Sequence, residues 1–150
     1  AGDRVPLNAG WYLSILHPPA GKTHRLADDK NLVAILENGD FRLLWLGDAS
    51  EEAVRWMIGN RIPPVTGVVV GNHSELGRIP ENLLQETGAE WFVFSSENFP
   101  DREKLAPNWG AVLEANGAQV FRQNKTGAVT VRVWRDGRVE AGSFVRQISR

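Results

Sequence analysis

Cysteine is absent from this 150-residue chain, and with it go disulfides, thiolate-held zinc, iron–sulfur clusters and thiolate catalysis. The absence leaves the cell compartment open, because a chain without thiols tolerates oxidising and reducing surroundings alike. No run approaches the ~20 apolar residues of a membrane span, and no basic-then-apolar signal segment is present, so a soluble polypeptide is expected. Methionine occurs once, at Met57, so Ala1 is not a translation start and the chain is expected to be a processed product or a segment of something longer. Histidine is scarce too: His17, His24 and His73 are the three, and no His-x-His-x-Asp-His cluster occurs to build a two-metal centre. Glycine-rich phosphate cradles of the G-x-G-x-x-G or Walker type are missing, as is a G-x-S-x-G nucleophile elbow.

What is present suits one folded domain. Hydrophobic residues make up 42% and charged residues 23%, enough apolar content for one substantial core at this length. Net charge is close to zero but uneven. Residues 51–100 hold three arginines against seven acids, whereas residues 119–150 hold seven Lys/Arg against Asp136 and Glu140. That basic end either meets phosphates or is the solvated face of a terminal hairpin.

Periodicity divides the chain into short units. Residues 11–16 read as a strand closed by His17-Pro18-Pro19, and residues 20–30 as a charged loop. Residues 31–37 and 40–46 read as a hairpin through Asn38-Gly39, a pair suited to a type I′ turn. Leu43, Leu44, Trp45 and Leu46 are apolar on both faces of the pleat, so this second strand is expected to be central and covered on both sides. Ser50, Glu51 and Glu52 open a helix over 50–59 whose apolar stripe is Ala53, Val54, Met57 and Ile58. A strand over 66–70, a helix over 80–86, a strand over 91–95, a helix over 107–116 and a strand over 118–122 follow. Residues 128–134 and 138–145 form a last hairpin turning at Asp136-Gly137. Antiparallel strands first and strand–helix units after predict a mixed sheet with helices packed on it, an α/β layered fold over residues 1–150.

Two polar residues stand out at matching places. Asp48 closes the run 41–46 at a strand-to-helix turn, and His73 follows the apolar run 68–70, so adjacent strands can deliver an oxygen and a nitrogen ligand to one sheet edge. Each has a plainer reading: Asp48 as a cap on the helix beginning near Ser50, His73 as a partner of a local backbone group. His17 and His24 are not expected at that edge. A Ser/His/Asp triad from Ser74 or Ser95 with His73 and Asp48 lacks any supporting local signature. Of the tryptophans, Trp45 and Trp91 look buried, and Trp11, Trp109 and Trp134 are the candidates for exposed stacking platforms.

These segments resemble, in order, the C-terminal part of the metallo-β-lactamase-like domain of ComEC-type DNA-internalisation (competence) proteins. Ile15-Leu16-His17-Pro18-Pro19 is similar to the family's Leu-His-Pro-Pro strand end. The stretch from Asn31 through Gly39-Asp40-Phe41 to Gly47-Asp48-Ala49 is similar to its hairpin closing in Gly-Asp-Ala. Gly71-Asn72-His73-Ser74 stands where the family has Gly-His-His-Gly-Ser, and residues 117–122 and 127–131 resemble its terminal strands.

The resemblance implies half of an αββα sandwich, without the half that carries the His-x-His-x-Asp-His ligands. It puts Asp48 at the bridging carboxylate and His73 at the last metal-binding histidine. An intact member would use zinc or manganese to activate water against a phosphodiester. Here Asn72 replaces one histidine of the pair, Ser74-Glu75 replaces Gly-Ser, and Lys104 falls near a Gly-His-Pro histidine, which points to a degenerate site. The expectation is a bacterial inner-membrane parent with this domain extracytoplasmic, and no membrane insertion by this segment. DNA is the expected partner, through Arg122, Lys125, Arg132, Arg135 and Arg138, alongside self-association or pairing with the missing half through a bare sheet face.

Overall fold

A computed structural model of the chain describes residues 2–21, 30–60, 62–71, 82–95 and 107–145. The chain opens with four strands, β1 (Arg4–Pro6), β2 (Tyr12–His17), β3 (Val33–Asn38) and β4 (Phe41–Gly47). It then alternates: α1 (Glu51–Gly59), β5 (Gly67–Val70), α2 (Asn82–Thr87), β6 (Trp91–Phe94), α3 (Pro107–Ala115) and β7 (Gln119–Arg122). A short helix α4 (Gln123–Thr126) leads to β8 (Val129–Val133) and β9 (Val139–Ser143). Strands β1 to β7 form one sheet in sequence order, and β8 and β9 form a separate two-stranded ribbon. Pairing is antiparallel from β1 to β4 and parallel from β4 to β7. The predicted mixed sheet with helices on it is therefore present. Two elements escape the sequence pattern, β1 with three residues and α4 with four, because neither is long enough to display a period.

The hairpin between β3 and β4 shows how local chemistry sets register. Asn38 pairs with Phe41, so the two loop residues are Gly39 and Asp40, one position later than expected. Gly39 has φ of 56° and Asp40 stays out of the left-handed region, which is the pattern of a type II′ turn rather than type I′. Glycine takes that conformation at no steric cost.

Three parallel crossovers step across the sheet in one direction. Crossovers of one hand then place α1, α2 and α3 on the same face. Under them Ile35, Leu44, Val68, Phe92 and Val120 stand at one level across β3 to β7, joined by the strand register. All five are buried and pack in one cluster with Ala53, Val54 and Met57 of α1, Leu83 of α2 and Leu113 of α3. Each large side chain so buried contributes roughly 1.5–3 kcal/mol.

The opposite face is only partly covered. Trp91, Val93, Phe121 and Phe41 are buried there, packed against Val129, Val131, Val133, Val139 and Ala141 of the ribbon. The ribbon's cluster takes in Phe41 and Leu43 in the first half of β4 but does not extend to Trp45 farther along the strand. Trp45 is consequently 57% exposed, which corrects the expectation that β4 is covered on both sides and that Trp45 is buried. An apolar run on both faces of a strand records a two-faced environment. It does not record how far a second layer extends.

Trp91 explains one glycine on this face. A Cβ on Gly67 would fall inside the Trp91 indole, so the ring occupies the place of a side chain on the neighbouring strand. Gly67→Ala is expected to lower stability by about 1–3 kcal/mol, as overpacking does, read from the midpoint of urea unfolding.

Candidate functional site

Strands β2 and β4 are both antiparallel to β3, so β2 runs in the same direction as β4 to β7. One edge therefore collects the carboxyl ends of β2, β4, β5, β6 and β7, and the entry of β3. In open α/β sheets that edge is where ligand sites form. Here it carries His17, Asn31, Asp48, Gly71, Ser95 and Arg122.

The turn after β4 is built residue by residue. Gly47 has φ of 54°, and a side chain there would press on the Leu32 carbonyl at 3.3 Å. The chain then passes through half-buried Asp48 and buried Ala49 to Ser50. Ser50 is extended, and its hydroxyl accepts from the Ala53 amide at 3.2 Å, so Ser50 is the N-cap of α1. The Asp48 carboxylate lies against the end of β5: a Cβ at Gly71 would strike Asp48 Oδ1 and the Gly47 carbonyl. The Gly71 amide donates to that same Gly47 carbonyl at 3.0 Å.

His17 was expected away from this edge, and the structure corrects that. It ends β2 beside the entry of β3, is 2% exposed, and stands edge-to-face on Trp56 at 5.9 Å. Its Nδ1 lies 3.2 Å from the Asn31 carbonyl, and a carbonyl only accepts, so Nδ1 carries the hydrogen. Asn31 in turn donates from Nδ2 to the Asp48 carbonyl at 2.7 Å. A Pro-Pro sequence after His17 reads locally as a loop start. It says nothing of strand direction, which is what places the ring at this edge.

His73, His24, Ser74 and Lys104 lie outside the described residues. Among the described residues no three His, Cys, Asp or Glu side chains gather in a group able to hold a metal ion. Asp48 alone falls short of the three protein ligands of a catalytic zinc, so the described donors do not fit a two-metal centre. Ser95 is exposed on the same edge.

The basic residues divide into two groups. The Arg122 guanidinium lies on Gly110 of α3, where a Cβ would collide with it, and pairs with Glu114 at 3.6 Å. Lys125, Arg132, Arg135 and Arg138 are exposed, the last three on the ribbon and its turn. Arg138 stacks over the half-buried Trp134 ring at 4.2 Å, and Arg132 stands across from Glu140 in the β8–β9 register. Trp11 packs edge-on against Phe41 at 5.7 Å, which leaves it half-buried, and the Trp109 side chain lies outside the described residues.

With this geometry, the chain matches no family model and no curated protein. Among solved structures it is similar to a mutant of CmlA beta-hydroxylase, a metallo-β-lactamase-fold protein, with a TM-score of 0.55 and 11% identity. The fold is metallo-β-lactamase-like. The likeness covers 81% of this chain and 31% of the neighbour, so the chain spans under a third of that protein's length. At this identity the likeness concerns architecture: a seven-stranded mixed sheet with helices on one face. Among the described residues no helix is long and apolar enough to cross a membrane.

The contact of Asp48 with Gly71 gives a direct check on the edge. Gly71→Ala is expected to push the β4–α1 turn away from β5 and to lower stability by about 1–3 kcal/mol, measured by denaturant unfolding. A neutral Gly71→Ala would show that the carboxylate does not rest on β5.

Proposed function

We propose that the chain is a degenerate metallo-β-lactamase-like domain of a ComEC-related protein, associated with DNA uptake and inactive as a hydrolase by itself. The observation that carries the reading is the position of Asp48, at the carboxyl edge of β4 against Gly71, where the resemblance puts the bridging carboxylate. Asn72 in place of a histidine, and Lys104 near another, support the loss of hydrolysis. The exposed cations of the ribbon support a role at phosphates, with Lys125, Arg132, Arg135 and Arg138 forward and Arg122 held back by Glu114. In this reading the parent is a bacterial inner-membrane protein and the domain faces outward from the cytoplasm.

A specific observation favours a second reading, that of a non-catalytic interaction module. Leu13, Leu32, Ala34, Leu36, Leu43 and Trp45 line an apolar groove of about 440 Å³ on the uncovered part of the sheet. Leu32 is 54% exposed beside the 57% of Trp45, a surface more typical of an interface than of a monomer. The groove continues the layer that the ribbon already forms, since Leu43 packs against the ribbon's cluster and also lines the groove. Its occupant in this reading is a further sheet layer, from another half of a sandwich or from a second copy.

Three measurements separate the readings. Duplex DNA binding is expected to weaken steeply with salt, and Arg132→Ala, Arg135→Ala and Arg138→Ala together to flatten the log–log slope by roughly 0.9 for each phosphate they cease to neutralise. Absent or salt-independent binding would remove DNA as the partner. Phosphodiester hydrolysis with added zinc or manganese is expected to stay at background; metal-dependent cleavage that disappears in Asp48→Ala would instead make the chain an enzyme. Light scattering decides the module reading, which expects a dimer or larger species that Trp45→Arg returns to monomer.

A further inference from the structure

Three hydrogen bonds lace the corner between β4 and α1 to the neighbouring strands, and they begin at a buried imidazole. His17 Nδ1 donates to the Asn31 carbonyl at 3.2 Å, and Asn31 Nδ2 donates to the Asp48 carbonyl at 2.7 Å. From the other side, the Gly71 amide donates to the Gly47 carbonyl at 3.0 Å. The peptide groups on both sides of the Asp48 Cα are thus held from two places, by Asn31 ahead of β3 and by Gly71 just past β5. With the backbone fixed, the direction of the side chain is fixed up to its own rotamers. Those are narrowed by Gly71, whose missing Cβ leaves room for the Asp48 carboxylate beside the Gly47 carbonyl.

We propose that Asn31 and His17 are positioning residues, which set the Asp48 carboxylate at the sheet edge without help from a bound cation. Asn31 is the direct prop. His17 acts through it: the ring is held in the core by burial and by Trp56 of α1, and so fixes the Asn31 backbone from which the side chain reaches Asp48. A buried ring nitrogen requires a partner, and this one takes the carbonyl of the residue that holds the site rather than one within its own strand. The metallo-β-lactamase-like fold would let a metal hold this carboxylate. The bonds of Asn31 and Gly71 constrain its backbone from within the chain, which goes beyond the functional reading above and stands whether or not Asp48 takes a cation.

The test uses the full chain and two nuclear magnetic resonance signals, the Asp48 side-chain carboxyl carbon and the Gly71 amide. Asn31→Ala and Asn31→Asp, the second equal in size but without the amide donor, are each expected to displace both signals while Val131 of the distant ribbon stays in place. EDTA is expected to leave the wild-type signals unmoved. His17→Phe should reproduce the displacement, and His17→Asn, which returns an N–H near the Nδ1 position, should reverse it; a merely space-filling histidine would show the opposite order. Mn²⁺ titration separates this proposal from the reading of Asp48 as a ligand. Broadening at Asp48 that needs about 10–100-fold more Mn²⁺ in the Asn31 variants supports both. Displacement by the Asn31 variants with no broadening in the wild type sinks the ligand reading and leaves the positioning intact. Unmoved Asp48 and Gly71 signals in both Asn31 variants, or an EDTA-induced shift as large as theirs, would overturn the proposal.

Discussion

The level of side chains formed by Ile35, Leu44, Val68, Phe92 and Val120 joins five strands to three helices, and the other features of the molecule hang from it. Each strand must present one residue at this level toward α1, α2 or α3. A slip of one residue in any pair would turn Trp45, Val69 or Trp91 under the helices and expel a core residue. The register that results fixes the ends of the strands as firmly as their middles. The carboxyl edge, with Gly47-Asp48 beside Gly71, is therefore a consequence of packing some residues away from it.

Backbone polarity is what the edge has to resolve. Where β4 ends at a left-handed Gly47, two peptide carbonyls need partners beyond the strand's middle. One is taken by the β5 terminus and one by the Asn31 side chain, and Ser50 supplies the cap that starts α1. The Asp48 carboxylate lies beside Gly71 at the end of β5. The same division of labour keeps His17 inside the fold. Its Nδ1 hydrogen meets a carbonyl, so a polar ring is tolerated at 2% exposure.

On the opposite face, the ribbon divides the sheet into a dry part and an open part. Val129, Val131 and Val133 of β8 with Val139 and Ala141 of β9 pack in the cluster of Trp91, Val93 and Phe121, while Thr130, Arg132 and Glu140 are exposed. The same two strands thus complete a core and present charge. Where the ribbon ends, the apolar face of β2, β3 and β4 continues uncovered as the groove around Trp45. A charged outer skin beside an uncovered apolar floor accounts for the two functional readings, one at phosphates and one at a further protein layer.

Much of the fold was legible in the residues. Alternating apolar runs and glycine-bounded segments located the main strands and helices in their order, and Ser50 with its acidic neighbours marked the start of α1. Gly47-Asp48 was legible as a turn after a strand, since glycine and a short polar residue there have few other uses. Strand direction and layer extent were not. The antiparallel β2–β3–β4 meander brings His17 to the edge of Asp48 from far upstream in the chain, and no local period encodes a separation of that kind. Likewise, the apolar sequence of β4 determined that both its faces avoid water-seeking side chains. Only the tertiary structure decided that Trp45 stays exposed, because the reach of the ribbon depends on where β7 and α4 release the chain.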